Sequence, residues 1–233
     1  MIYENIRSGT FISRPNRFIA VADIGGSQEI CHVKNTGRCK ELLIPEAKVI
    51  LQEFDSEARK TRYDLTAVYK GDRIVNIDSQ APNKVFAEWA AKYFGKGSVI
   101  KAECKYGNSR FDFYIENGER RIFAEIKGVT LEKGGVAMFP DAPTERGLKH
   151  VNELCECVKN GYEAYIFFII QMSGVKYFTP NRETHPQFAE ALERAEKHGV
   201  RIVCLDCSVS ENSLEINHEI KYCLGAFPEK TGG

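Results

Sequence analysis

The segment that decides the fold reads Ser109-Arg-Phe-Asp112-Phe-Tyr-Ile-Glu116-Asn117-Gly118-Glu119-Arg-Arg-Ile-Phe-Ala-Glu125-Ile-Lys127. Asn-Gly between two alternating apolar/polar runs predicts a β-hairpin with a two-residue turn. Pairing Glu116 with Glu119 places Phe111 opposite Ala124 and Phe113 opposite Ile122, so one face is apolar. The other face carries Arg110, Asp112, Tyr114, Arg121, Glu125 and Lys127, with Asp112 diagonal to Glu125 and within reach of a shared ion. Lys127 lies two residues past Glu125 and points the same way. A carboxylate on one strand and Glu-x-Lys on the next suit metal-dependent phosphodiester hydrolysis. Mg2+ takes one or two carboxylates, several waters and a substrate phosphate, and an adjacent ammonium can position water or neutralise a phosphate oxygen. The same alternating charges also make an ordinary solvated face with cross-strand pairs such as Arg110 with Glu125, and spacing alone leaves both readings open.

Downstream of the hairpin, Pro143 is expected to open a helix running to Lys159, with Thr144 and Glu145 in its first turn and Arg146, Lys149 and His150 close behind. Free N–H groups at a helix start, followed by cationic side chains, suit a phosphate; they suit a solvated helix face equally well. A strongly apolar strand over 162–170, a helix over 186–198 and a strand over 200–206 follow. Strands alternating with helices predict an α/β sheet.

Upstream, a helix is expected over 84–94, where Val85, Phe86, Trp89, Ala90 and Tyr93 recur at helical spacing, with Asn83 as its N-cap and Gly95 as its stop. Before it, runs rich in Val, Ile, Tyr and Phe over 11–24, 29–34, 47–54, 61–70 and 73–78 are punctuated by Gly25-Gly26, Asn35-Thr36-Gly37 and Gly71-Asp72. Short strands without helical periodicity predict a small β-barrel of the kind that binds oligonucleotides or oligosaccharides. The expected architecture is mixed α/β: an OB-like barrel over residues 1–80, then an α/β domain over 81–233 whose Lys230-Thr-Gly-Gly tail frays. Arg7, Arg14, Arg17 and Arg38, interleaved with Phe11 and Phe18, fit backbone tracking and base stacking on a single strand. They fit an ordinary barrel surface over core phenylalanines as well.

Composition narrows the classes. The chain has 233 residues, with 32 Lys+Arg balanced by 32 Asp+Glu, so any polyanion site must be a local patch. No apolar run approaches the length of a membrane helix, and Met1-Ile-Tyr-Glu-Asn5 has no basic, then apolar, leader pattern. A cytoplasmic protein with eight reduced cysteines and no membrane partner is expected. Cys204-x-x-Cys207 without a second pair is a weak zinc signal. An oligosaccharide site would want an exposed aromatic platform, and the one Trp stands on a helix's apolar face.

Several blocks resemble a known family. Lys105-Tyr-Gly-Asn-Ser-Arg110-Phe-Asp112-Phe, Glu125-Ile-Lys127-Gly-Val-Thr-Leu and Phe139-Pro-Asp141-Ala-Pro-Thr144-Glu-Arg146-Gly-Leu-Lys149-His150 are similar to signature blocks of the sugar fermentation stimulation protein A family. Arg14-Pro-Asn-Arg17-Phe18-Ile-Ala, His32-Val-Lys-Asn35-Thr36-Gly37 and Asn83-Lys-Val-Phe-Ala-Glu88 resemble further blocks in the same order, so the likeness runs over nearly the whole chain. The resemblance implies an N-terminal OB-like barrel and a C-terminal nuclease-like domain of the PD-(D/E)xK class, in proteins described as DNA-binding and linked to sugar metabolism. It implies Asp112, Glu125 and Lys127 as the catalytic core, with Mg2+ or Mn2+ held by Asp112, Glu125 and an acid from the first helix, at the position of Glu88. On a helical wheel Glu88 faces away from the apolar stripe, and Phe111 stands where that class usually has Pro. Arg14, Arg17, Arg38, Arg110, Thr144, Arg146, Lys149 and His150 form the expected nucleic-acid surface, with DNA favoured over RNA. A regulator that binds nucleic acid without cleaving it is the rival reading.

Overall fold

Asn16 ends the first strand because its side-chain Oδ1 accepts the Phe18 N–H at 2.9 Å, closing a tight turn. The run expected as one strand over 11–24 is therefore two, β1 (Ile6–Asn16) and β2 (Ile19–Ile24), paired antiparallel. In this computed structural model, residues 1–35, 37–56, 58–107 and 109–225 are described. Thr36 of the Asn-Thr-Gly turn, Asn108 and the tail at Lys230 lie outside them.

Gly25 and Gly26, at φ 63° and 89°, supply the left-handed turn into β3 (Ser27–His32). β4 (Lys48–Glu53) pairs with β1, and β5 (Tyr63–Lys70) pairs with β4. Parallel pairing of Cys31 with Tyr63 and His32 with Asp64 joins β3 to β5, closing a five-stranded OB-type barrel. Its interior holds Phe11, Ala22, Cys31, Val49, Leu51 and Leu65. β6 (Arg73–Asn76) hydrogen-bonds to β5 and leads out of the barrel.

The second unit begins with α1 (Ala81–Phe94), three residues earlier than the periodicity predicts. Pro82 fits the first helical turn, where its missing N–H costs nothing. Asp78 serves the entry by accepting the Gln80 N–H through Oδ1 and the Ala81 N–H through its carbonyl. Asn83 is thus inside the helix rather than its cap, and its amide is available elsewhere.

β7 (Val99–Tyr106), β8 (Ser109–Asn117) and β9 (Arg120–Val129) form an antiparallel run. β12 (Glu163–Ile170) lies parallel to β9, β14 (Arg201–Val209) lies parallel to β12, and β15 (Leu214–Glu219) returns antiparallel. The six-stranded order is β15-β14-β12-β9-β8-β7. α1 covers one face, where Phe86 meets Phe113 and Phe167 at ring separations of 4.9 and 4.7 Å. α2 (Glu145–Lys159) and α3 (Pro186–Lys197) cover the other, with Val151, Leu154, Phe188 and Leu192 buried. Coverage on both sides explains why β12 is apolar almost throughout instead of alternating.

A small sheet of β10 (Leu131–Lys133), β11 (Val136–Phe139) and β13 (Tyr177–Pro180) was not legible as strands. The α2 start is also corrected: Thr144 is the N-cap rather than a first-turn residue, its hydroxyl accepting the Gly147 N–H at 3.0 Å. All eight cysteines are free thiols, and no three-member cluster of His, Cys, Asp or Glu suited to a metal exists among the described residues.

Candidate functional site

The β8–β9 ladder pairs Asn117 with Arg120, Ile115 with Ile122 and Phe113 with Ala124. The two-residue turn is Gly118-Glu119, with Gly118 at φ 61° in the position a hairpin of this kind reserves for Gly. The register differs by two residues from the one expected. Side chains alternate with period two, so a shift of two keeps every residue on its face. Phe113, Ile115, Ile122 and Ala124 accordingly share the core under α1.

Phe111 does not join them. It packs on the α2 side, 5.4 Å from the Phe123 ring and 6.0 Å from His150. The cause is a break at Asp112. The β8–β9 ladder stops at Phe113, and the Asp112 Oδ2 accepts the Ile126 N–H at 2.8 Å. On β7, Glu103 faces this break at φ 54°, a left-handed conformation unusual for a residue with a side chain. Counting outward from Phe113 and Ala124 places Asp112 directly across from Glu125 rather than diagonal to it.

The carboxylates occupy different settings. Glu125 is only 2% exposed; its Oε1 accepts from Lys127 Nζ at 2.6 Å and also contacts His150 Nδ1. Burial pushes the Glu125 carboxyl up, but the His150 hydrogen bond and the Lys127 charge outweigh it, and the result lies below the ordinary glutamate range. The Glu125 Oε2 is buried without a hydrogen-bond partner, which costs free energy unless something fills the role. Asp112 is half-buried and moves the opposite way: desolvation and the neighbouring Glu125 charge raise its carboxyl, despite donors from Ile126 and Asn83. Asn83 Nδ2 reaches Asp112 Oδ1 at 3.0 Å.

Glu88 is not in this cluster. Its carboxylate is exposed and accepts from the Met1 ammonium at 2.7 Å, beside Trp89 and β15. The wheel showed that Glu88 faces outward but not toward which edge of the sheet; the α1 side chain that hydrogen-bonds Asp112 is Asn83. His150 is also corrected. It is buried against Glu125 instead of standing on the α2 surface. Its spacing with Gly147, Val151 and Leu154, all buried, was a readable signal of this.

The remaining basic residues separate by exposure. Arg14 is spent on structure, donating to the carbonyls of Arg17, Asn35, Gly37 and Arg38. Arg17 is exposed, its guanidinium 4.9 Å over the Phe18 ring, which is itself 46% exposed. Arg38 keeps an exposed side chain while its backbone N–H donates to Asp141 at 2.8 Å. Arg110 pairs with Glu103 at 3.1 Å on the surface, Lys149 lies 3.7 Å from Glu153, and Arg146 is exposed on α2.

Two family models match the chain: one described as SfsA N-terminal OB domain over residues 12–77, and one described as Sugar fermentation stimulation protein RE domain over residues 80–213. A sugar fermentation stimulation protein homolog of Desulfitobacterium hafniense strain Y51 is 62% identical over 216 residues, covering 92% of this chain and 95% of that one. Its counterpart in Clostridium beijerinckii is 54% identical over 226 residues, 96% of this chain and all of the relative. Among solved structures, Pyrococcus furiosus SfsA in complex with Ca2+ superimposes with a TM-score of 0.87 at 31% identity, over 95% of this chain and 97% of that one.

Proposed function

The chain belongs to the sugar fermentation stimulation protein family, and from that premise we propose that it binds nucleic acid, DNA in preference to RNA, and hydrolyses phosphodiesters with a divalent cation. The observation that carries this reading is the meeting of Asp112 and Glu125 beside Lys127, with one Glu125 oxygen buried and unpartnered. Two carboxylates, one with spare acceptor capacity, are a donor set that Mg2+ or Mn2+ accepts. Asp112 and Glu125 would hold the ion. When bound, it would make water more acidic and offset charge on the phosphate. The relative from Pyrococcus furiosus, solved with Ca2+, lends support to a divalent site in this fold.

The chain's own residues supply the rest. His150 and Lys127 keep Glu125 ionised and fixed, and Asn83 with the Ile126 N–H fixes Asp112. The Lys127 ammonium is the one cation of the cluster that a phosphate oxygen could meet while Glu125 retains its bond to His150. Arg146 and Lys149 on α2, and the exposed Arg17–Phe18 pair on the barrel, provide charge and a stacking surface for a strand.

Incubating the purified protein with single- and double-stranded DNA and RNA, with and without Mg2+ or Mn2+, is the direct test. Cleavage should require the metal and fall by about 10²–10³-fold in Glu125→Gln and in Lys127→Met. No cleavage of any polymer removes the hydrolase reading. A binder without hydrolysis is the second reading. It is favoured by the place of Glu88 away from the cluster and by the two partners, Lys127 and His150, that Glu125 already has. It expects salt-dependent affinity that Asp112→Ala leaves intact without metal.

A further inference from the structure

Between the barrel and the second unit lies a cleft of about 340 Å3, in the size range of small-ligand sites. Gly128, the residue after Lys127, and Thr144, the N-cap of α2, are among its lining residues. The barrel contributes Asn35 and Gly37, and the segment between the units contributes Ser79. The cleft lies outside the carboxyl ends of the parallel strands β9 and β12, where open α/β sheets take their ligands.

Its chemistry is specific. Among the described lining residues there is no Lys or Arg and Asp141 is the one charged group, so a phosphate is unwelcome there. Its apolar lining residues are Phe139, Pro140 and Pro143, while Asn35, Thr130 and Gln171 offer polar atoms. Among the described residues the donor to Asp141 is the Arg38 N–H at 2.8 Å, and an ionised carboxylate can accept several bonds. The wall is tightly built around it: a Cβ on Gly37 would lie 2.5 Å from Asp141 Oδ2, and one on Gly128 would lie 2.6 Å from Gln171 Oε1. Arg14 of β1, the strand that precedes Arg17 and Phe18, donates to the carbonyls of Asn35, Gly37 and Arg38 and so anchors the barrel side of the cleft.

We propose that this cleft seats one unstacked nucleobase of the bound strand, a base that presents an exocyclic amine to Asp141 while its ring lies against Phe139 and the flanking prolines. The inference rests on the nucleic-acid reading above and deepens it. Enclosed pockets that take an extruded base combine these two elements, apolar faces for the ring and hydrogen-bond groups for its edge. A carboxylate accepting from an amine is the matching contact for cytosine. The position beside Lys127 puts the seated nucleotide next to the phosphodiester presented to Asp112 and Glu125.

The test compares short single-stranded oligo-dC and oligo-dU, which differ at ring position 4 by an amine against a carbonyl, using fluorescence anisotropy in chelator so that hydrolysis plays no part. The wild-type protein is expected to bind oligo-dC about tenfold more tightly than oligo-dU. Asp141→Asn should bring the two affinities within about twofold, because oligo-dC loses its acceptor and the uracil 4-carbonyl gains a donor, with circular dichroism reporting that the variant is folded. Equal wild-type affinities, or a preference that survives Asp141→Asn, overturn the base-seating role and leave nucleic-acid binding standing. Failure of the wild type to bind either oligomer overturns this inference, while the nucleic-acid reading is decided by the assays with duplex, RNA and metal described above. The wild-type comparison decides the matter even if Asp141→Asn does not fold.

Discussion

Glu125 and Asp112 are two acids placed side by side and pushed in opposite directions. Glu125 is held below the ordinary range because His150 and Lys127 outweigh its burial, whereas Asp112 is raised by burial and by the charge across from it. Neighbouring carboxylates with divergent proton affinities are a common property of catalytic pairs. Among the described residues Glu125 is the hydrogen-bonding partner of His150, and removing the imidazole leaves a nearly dry carboxylate with Lys127 alone. His150→Ala is therefore expected to destabilise the fold by about 1–3 kcal/mol in urea unfolding at neutral pH. In a double-mutant cycle, Glu125→Gln combined with His150→Ala should cost clearly less than the sum of the single changes, since both break one contact. Additive losses would mean that the imidazole contributes only packing against Phe111.

At the scale of elements, α2 has one strong local determinant, its cap. Thr144→Ala removes the acceptor for the Gly147 N–H and is expected to cost about 1 kcal/mol by urea unfolding. Thr144→Ser, which keeps the hydroxyl, should recover most of it; equal losses in both variants would assign the cost to the methyl group. The same helix shows what sequence makes visible. Its extent to Lys159 was readable, but its start was expected at Pro143, with Thr144 in the first turn, because Pro suits the first helical position. Between Phe113 and Ala124 the hairpin faces were readable although the turn was not, since a two-residue slip preserves alternation, whereas Phe111 was placed on the wrong face. The break at Asp112 was not readable, because it arises from a side chain taking over a ladder donor and from Glu103 on a third strand. Nor were β11 and β13, four residues each, whose pairing joins segments about forty residues apart and leaves no local pattern. Within the candidate site, Asp112, Glu125 and Lys127 were found from local spacing, while Asn83 depends on how α1 docks on the sheet.

At the scale of the whole molecule, the barrel and the second unit are joined by a polar seam. Gln171, at the end of β12, donates to Asn76 Oδ1 at 2.7 Å and to the Asp78 carbonyl at 3.0 Å, and its own carbonyl accepts the Asn76 N–H. Tyr69 of the barrel donates to Glu211 at 2.7 Å. The charged centre of the seam is Glu132 of β10, only 7% exposed, which accepts from Lys70 at 2.6 Å, lies 3.3 Å from Arg73, and also takes the Gly135 N–H. Burial raises the Glu132 carboxyl, but Lys70, Gly135 and Arg73 together lower it below the ordinary glutamate value of 4.5. A carboxyl whose folded proton affinity is depressed stabilises the fold at pH values above its unfolded titration, and this contribution is lost as pH falls through the folded one. Glu132→Gln should therefore cost about 1–3 kcal/mol near neutrality, where the wild-type residue is charged and leaves Lys70 and Arg73 compensated. The difference should shrink as pH falls below the glutamate range, because protonated Glu132 resembles the glutamine. Urea unfolding of both proteins across that interval measures it. A gap that stays constant down to strongly acid pH would show that Glu132 contributes through shape and neutral hydrogen bonding, and that charge does not hold the barrel to its neighbour.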